Sequence, residues 1–123
     1  MEWVLFLSAT APGLVLSIFS WIYRTYPPKK INFFYGYRTK RSMRSQATWD
    51  FGNRIGAKMM LWAGISSFVI GAIAYFIFPY WAMGISMFCL IVALFAGIFW
   101  CEWQLKVHFD KNGKSVFGGP RSN

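Results

Sequence analysis

Three long stretches of the chain carry no charged side chain: Trp3 to Tyr23, Met59 to Phe78, and Ala82 to Cys101. Each is about 20 residues long, enough for a helix rising about 1.5 Å per residue to cross a hydrocarbon layer roughly 30 Å thick. Helices buried in a soluble bundle would show a polar stripe at 3.6-residue spacing, and none of these does. The pattern predicts three membrane-spanning helices over residues 3–23, 59–78 and 82–101. Pro79-Tyr80-Trp81 leaves room only for a tight turn, so the second and third spans form an antiparallel hairpin. Pro12-Gly13 predicts a kink in the first span, where neighbouring helices can satisfy the freed carbonyls.

Small residues recur along the spans: Gly13, Ser17 and Ser20 on the first, Gly64, Ser67, Gly71 and Ala74 on the second, Ser86, Ala93 and Gly97 on the third. Lipid gives little hydrophobic drive between helices, so close backbone approach at such residues supplies packing energy. The expected unit is a three-helix bundle, and the same stripes are also suited to a homo-oligomer.

The polar segment 24–58 reads differently. Pro27-Pro28 ends the first helix, and Gly36 permits a positive φ or a close backbone approach. Ser45 is an N-cap, with Asp50 near the start of the helix it opens. Trp49, Asn53 and Gly56 share one face of that helix, whereas Arg54 and Lys58 point elsewhere. Asp50 and Arg54 are spaced to pair at i, i+4. No proline interrupts residues 45 to 78, so the helix either bends or runs directly into the second span. The expected fold is an all-α integral membrane protein, a single membrane domain over 1–123. It has a cytoplasmic amphipathic helix between spans one and two and a cytoplasmic tail over 102–123.

Composition supports lipid as the main solvent. Of 123 residues, 56% are hydrophobic and 14% charged, against about 25% charged in ordinary soluble domains. The net charge of +9 would suit a nucleic-acid binder only if it covered a surface of ordinary apolar content. Here it falls in two blocks, 24–58 and 102–123, so nucleic acid is not an expected partner. Three crossings put both blocks on one side, and the positive-inside rule places them in the cytoplasm with the N-terminus outside. Trp3, Tyr80 and Trp81 then mark the outer interface, and Trp21, Tyr23, Tyr26, Trp62, Trp100 and Trp103 the inner one. Ala9-Thr10-Ala11 has the form of a signal-peptide cleavage site, but the Met-Glu-Trp start lacks a basic n-region, so cleavage is not expected. Cys89 and Cys101, twelve residues apart on one helix, are too distant for a disulfide.

Candidate chemistry is confined to the polar segment. A glycine turn, Arg38, the hydroxyls of Thr39, Ser42 and Ser45, and a helix N-terminus could together hold an anion. The plainer reading is that Lys40, Arg41, Arg44 and Lys58 meet anionic lipid headgroups. His108 has no second ligand at metal spacing, the four acids form no evident acid–base pair, and no phosphate loop occurs. No charge lies within a span, which argues against transport. No cofactor is expected. The tail holds an Asn-Gly turn that suits either a hairpin or a disordered end.

The spacing N-x3-GYRT-x2-SM-x-S-x3-WDFGN-x2-G resembles the signature of SdpI-type membrane proteins. Asn32, Gly36, Tyr37, Arg38, Thr39, Ser42, Ser45, Trp49, Asn53 and Gly56 carry it, with Asp50 inside it. The resemblance covers roughly residues 10–101. It implies a multi-pass protein of the bacterial cytoplasmic membrane, with the motif on the cytoplasmic side ahead of a two-span hairpin. The name-giving member confers immunity to a secreted peptide toxin and holds a transcriptional repressor at the membrane. It has further spans before the motif, so this chain is expected to correspond to the signature-bearing portion. The function so implied is non-enzymatic immunity or signalling, with a protein partner or anionic group at the motif. An accessory subunit of a larger membrane complex and a small lipid-acting enzyme are the competing readings.

Overall fold

The computed structural model describes residues 2–32, 34–114 and 116. It contains three helices, α1 (Glu2–Thr25), α2 (Gln46–Ile77) and α3 (Ala82–His108). All three are long and apolar enough to cross a membrane.

α1 continues through Pro12 and stops at Thr25, two residues before Pro27. Its hydroxyls need no partner on another helix. Ser8, Thr10, Ser17 and Ser20 each donate to the carbonyl four residues earlier at 2.7–2.9 Å, so burying them leaves no orphaned donor.

α2 begins where expected. Ser45 lies in extended backbone and its hydroxyl accepts from the Thr48 N–H, while the Thr48 hydroxyl accepts from the Ser45 N–H. This reciprocal arrangement is a capping box. The expected amphipathic helix is not a separate element: residues 46–58 are the opening turns of one 32-residue helix. Nothing in that stretch breaks an α-helix, so the polar segment and the second span share a backbone.

α3 differs from expectation at its far end. The boundary at Cys101 was set by the return of charge, but the helix runs two turns further, to His108. Charge marks where an apolar run stops; the backbone stops only at a breaker, here the Asp110-Lys111-Asn112-Gly113 turn. Lys106 and His108 occupy the last turn, where positive charge suits the helix dipole. Gly113 has φ +77°, and Val116 N–H returns to the His108 carbonyl at 2.9 Å. The rest of the expected tail, 117–123, lies outside the described residues, as do Phe33 and Ser115.

The bundle is inside-out by the standards of a soluble protein. Val15, Ile18, Ile73, Phe76, Phe88 and Phe95 are exposed, whereas Ala9, Ser20, Ser67, Ala74, Ala82 and Ser86 are buried. That distribution fits lipid as solvent, with close approach as the source of packing energy. A Cβ on Gly13 would stand 2.6 Å from the Gly64 carbonyl oxygen, and one on Gly64 would stand 2.6 Å from the Ser17 hydroxyl. Ser67 and Ser86 close the hairpin, their hydroxyl oxygens 3.0 Å apart. The small-residue stripes are therefore largely consumed within one chain.

Candidate functional site

The motif forms a cap over one end of the bundle, between the end of α1 and the extension of α3. Trp49 is completely buried, and its indole N–H donates to the Pro28 carbonyl at 2.7 Å. This contact fastens the connector that follows α1 to the first turns of α2. One turn further along α2, the buried Asn53 donates through Nδ2 to the Trp49 carbonyl at 2.8 Å. Its Oδ1 accepts from the Tyr37 N–H at 2.6 Å and from the Tyr23 hydroxyl. A single amide thus joins α1, α2 and the loop between them.

Gly36 makes that junction possible. Its φ is +113°, and a Cβ there would lie 2.5 Å from Asn53 Oδ1 and 2.7 Å from the Pro28 ring. Any side chain would be both strained and obstructed. Gly52 and Gly56 leave the space on α2 that Ser42 and Tyr37 fill, with 3.1 Å from the Gly52 Cβ position to Ser42 and 3.2 Å from that of Gly56 to Tyr37.

The hydroxyls close the rest of the loop. Ser42 donates to the Tyr37 carbonyl at 2.8 Å and accepts from the Thr39 N–H at 2.8 Å. Ser45 donates to the Gly113 carbonyl at 2.6 Å, which ties the turn after α3 to the N-terminus of α2. Glu102, on the α3 extension, accepts from the Tyr37 hydroxyl at 2.6 Å and from the Thr39 hydroxyl at 2.7 Å, both through Oε2. Its Oε1 lies 3.6 Å from Arg41 Nε. Burial of the ring and the Glu102 carboxylate together hold the Tyr37 phenol well above its usual value, because ionisation would place a second negative charge beside the first.

Of the three candidate hydroxyls, Thr39 meets an anion that belongs to the chain itself, whereas Ser42 and Ser45 donate to backbone carbonyls. Glu102 is hard to single out from the sequence because it stands with the charged residues of the tail, directly after the apolar run. Its signal was that of a lone acid at the basic end of an apolar helix. Tyr23, expected as an aromatic of the inner interface, is instead buried and bonded to Asn53, and Thr48 sits in a segment read for its N-cap alone.

Asn32 and Asp50 bond outside this network. Asn32 makes a local turn, its Oδ1 accepting from the Phe34 and Tyr35 N–H groups at 2.9 and 2.8 Å. Asp50 is exposed and does not pair with Arg54. Its carboxylate accepts from Gln46 at 2.8 Å, while the Arg54 guanidinium lies over the Phe51 ring, 5.3 Å from its centroid. Arg38 is exposed and borders an apolar crevice of about 340 Å³ that also touches Leu16, Met60 and Ile98. Among the described residues, no group of three His, Cys, Asp or Glu side chains is placed to hold a metal. His108 packs its ring 5.0 Å from that of Phe51.

The model of the SdpI/YfhL protein family matches residues 29–101, more than half of the chain. The chain belongs to the SdpI/YfhL family. The match takes in the loop from Lys29 onward, all of α2, and α3 as far as Cys101, and so stops short of Glu102 and Gly113. The chain is also 42% identical over 53 residues to the uncharacterized protein YfhL of Bacillus subtilis (strain 168). That alignment covers 43% of this chain and 48% of YfhL, so the chain spans about half the length of this curated relative. No solved structure matches. In this SdpI/YfhL chain, the motif's Trp, Asn, Gly and hydroxyl residues serve as the internal fastenings of the cap.

Proposed function

We propose that this SdpI/YfhL chain is a non-enzymatic immunity or signalling protein of the bacterial cytoplasmic membrane. Its cap faces the cytoplasm and docks a protein partner. The observation that carries this reading is the division within the motif. Trp49, Asn53, Ser42 and Thr48 are buried and hydrogen-bonded, whereas Phe34, Arg38, Lys40 and Arg44 are exposed on the surface those buried residues hold in place. Phe34 is 91% exposed, an apolar group left uncovered on that surface. An aromatic group among cations on a rigid loop is suited to an acidic, partly apolar protein surface. Collection of the basic residues at the capped end supports an N-terminus outside and a cap inside.

The test is expression in a toxin-sensitive bacterium that lacks its own immunity protein. Wild type should raise survival against the secreted peptide toxin, or retain a repressor in the membrane fraction. Arg38→Ala and Phe34→Ala should lose that effect at undiminished membrane abundance. Full effect in both variants at equal abundance would overturn the docking role, and no effect from wild type in either assay would overturn the reading itself. A reporter fused after Asn123 should be active in the cytoplasm.

A further inference from the structure

A cleft of about 660 Å³ opens between the last turn of α1, the Pro27–Lys29 connector and the first turns of α2. Arg24, Lys29, Arg54 and Lys58 line it, with Asp50 as the one acid among the lining residues. Gln46 fixes one side of the cleft, donating to the Lys29 carbonyl at 2.6 Å as well as to Asp50. Among the described residues none of the four cations forms an ion pair, so the cleft holds an excess of three positive charges. These residues sit where the polar cap meets the apolar spans.

Lys58 also lines a second depression, a groove of about 460 Å³ between α2 and α3. Its walls are Trp62, Ser66, Ala93, Ala96, Gly97 and Trp100. From Lys58 to Ser66 the groove descends about 12 Å along α2, into the apolar part of the helix. Met59 and the small residues Ala63, Ala93, Ala96 and Gly97 line it together with the two indoles. The cationic cleft and the apolar groove thus meet at one lysine.

We propose that the two depressions together bind one anionic phospholipid, with its phosphate against Arg24, Arg54 and Lys58 and an acyl chain along the groove. Charge complementarity favours an anionic headgroup, because a zwitterionic one would bring its own ammonium to a site already in positive excess. The adjoining groove favours a lipid over free phosphate, which would have no use for an apolar trough of small residues. The inference needs the membrane-spanning arrangement alone and stands apart from partner docking at Phe34 and Arg38.

The test uses the full chain, delipidated in mild detergent. It is offered phosphatidylglycerol and phosphatidylcholine of identical chains, and bound lipid is counted by native mass spectrometry. Wild type should prefer phosphatidylglycerol by roughly tenfold or more, as expected of two or more cations near an anionic headgroup. The double variant Arg54→Gln/Lys58→Gln should lose most of that preference, whereas Lys106→Gln/Lys111→Gln, an equal loss of charge elsewhere, should keep it. Ala96→Trp fills the groove with the charges intact and should weaken phosphatidylglycerol retention severalfold. No preference in wild type, or equal loss in both double variants, would overturn the proposal. So would displacement of the lipid by millimolar inorganic phosphate with Ala96→Trp behaving as wild type, which would indicate a free-phosphate site.

Discussion

Trp49 and Ser67 lie on the same helix and are equally buried, yet they are buried by different means. Around Ser67 the helices approach until backbones nearly touch, and its hydroxyl bonds the Ser86 carbonyl at 3.0 Å. Around Trp49 a loop without regular structure is folded over the helix and held by bonds from side chain to backbone. The difference follows from the surroundings. In lipid each helix satisfies its own backbone, so small residues that permit contact are enough. A loop leaves backbone groups without regular partners, and side chains must supply them. The cap is therefore specified residue by residue, whereas the spans are specified by size.

The sharpest way to break this contrast is at Trp49. Trp49→Ala should cost the cap about 3–5 kcal/mol and raise hydrogen exchange through residues 27–45, with little change at the Phe78–Trp81 turn. A uniform rise along α2 would mean that the two regions open as one unit. Gly71→Leu attacks the other region, because a Cβ there would run into the Ala9 carbonyl and stand 3.1 Å from the Ser86 hydroxyl. It should cost about 1–3 kcal/mol or more by overpacking, lowering the detergent melting midpoint while cap exchange stays near wild type.

Tyr37→Phe removes the phenol's bond to the Glu102 carboxylate, for about 1.5–3 kcal/mol. The pH dependence sharpens this test. The folded protein keeps the phenol protonated above its ordinary value of 10.0. The stabilisation is therefore complete below pH 10 and is lost as pH rises towards the higher folded value. Melting curves taken above pH 10 should show an alkaline loss in wild type that is smaller in Tyr37→Phe. Ser67→Ala is the mildest change, at about 0.6 kcal/mol. It should shift the melting midpoint slightly and leave cap exchange unaltered.

Much of the frame was legible because it rests on local rules. The apolar run lengths marked the spans, Pro79 to Trp81 marked the hairpin, and Ser45 marked the start of α2. The cap was legible only as a list of participants. Asn53, Tyr37 and Trp49 stand together in the motif, but Asn53 bonds residues 16 and 30 positions away and Trp49 one 21 positions away, and spacing carries no such information. Glu102 was harder still, since its partner Tyr37 is 65 residues away. Asp50 and Arg54 show the converse error: ideal helical spacing, with Gln46 and Phe51 as the partners actually taken. Competing neighbours decided those contacts, and a sequence pattern ranks no competitors.

The unbroken course of α2 has a mechanical corollary. Its 32 residues make a rod about 48 Å long, gripped near one end by the loop and near the other by its antiparallel neighbour. A tilt imposed on the loop would act on the same unbroken backbone that reaches the Pro79–Trp81 link, against the close contacts that Gly64 and Gly71 make with α1 along the way.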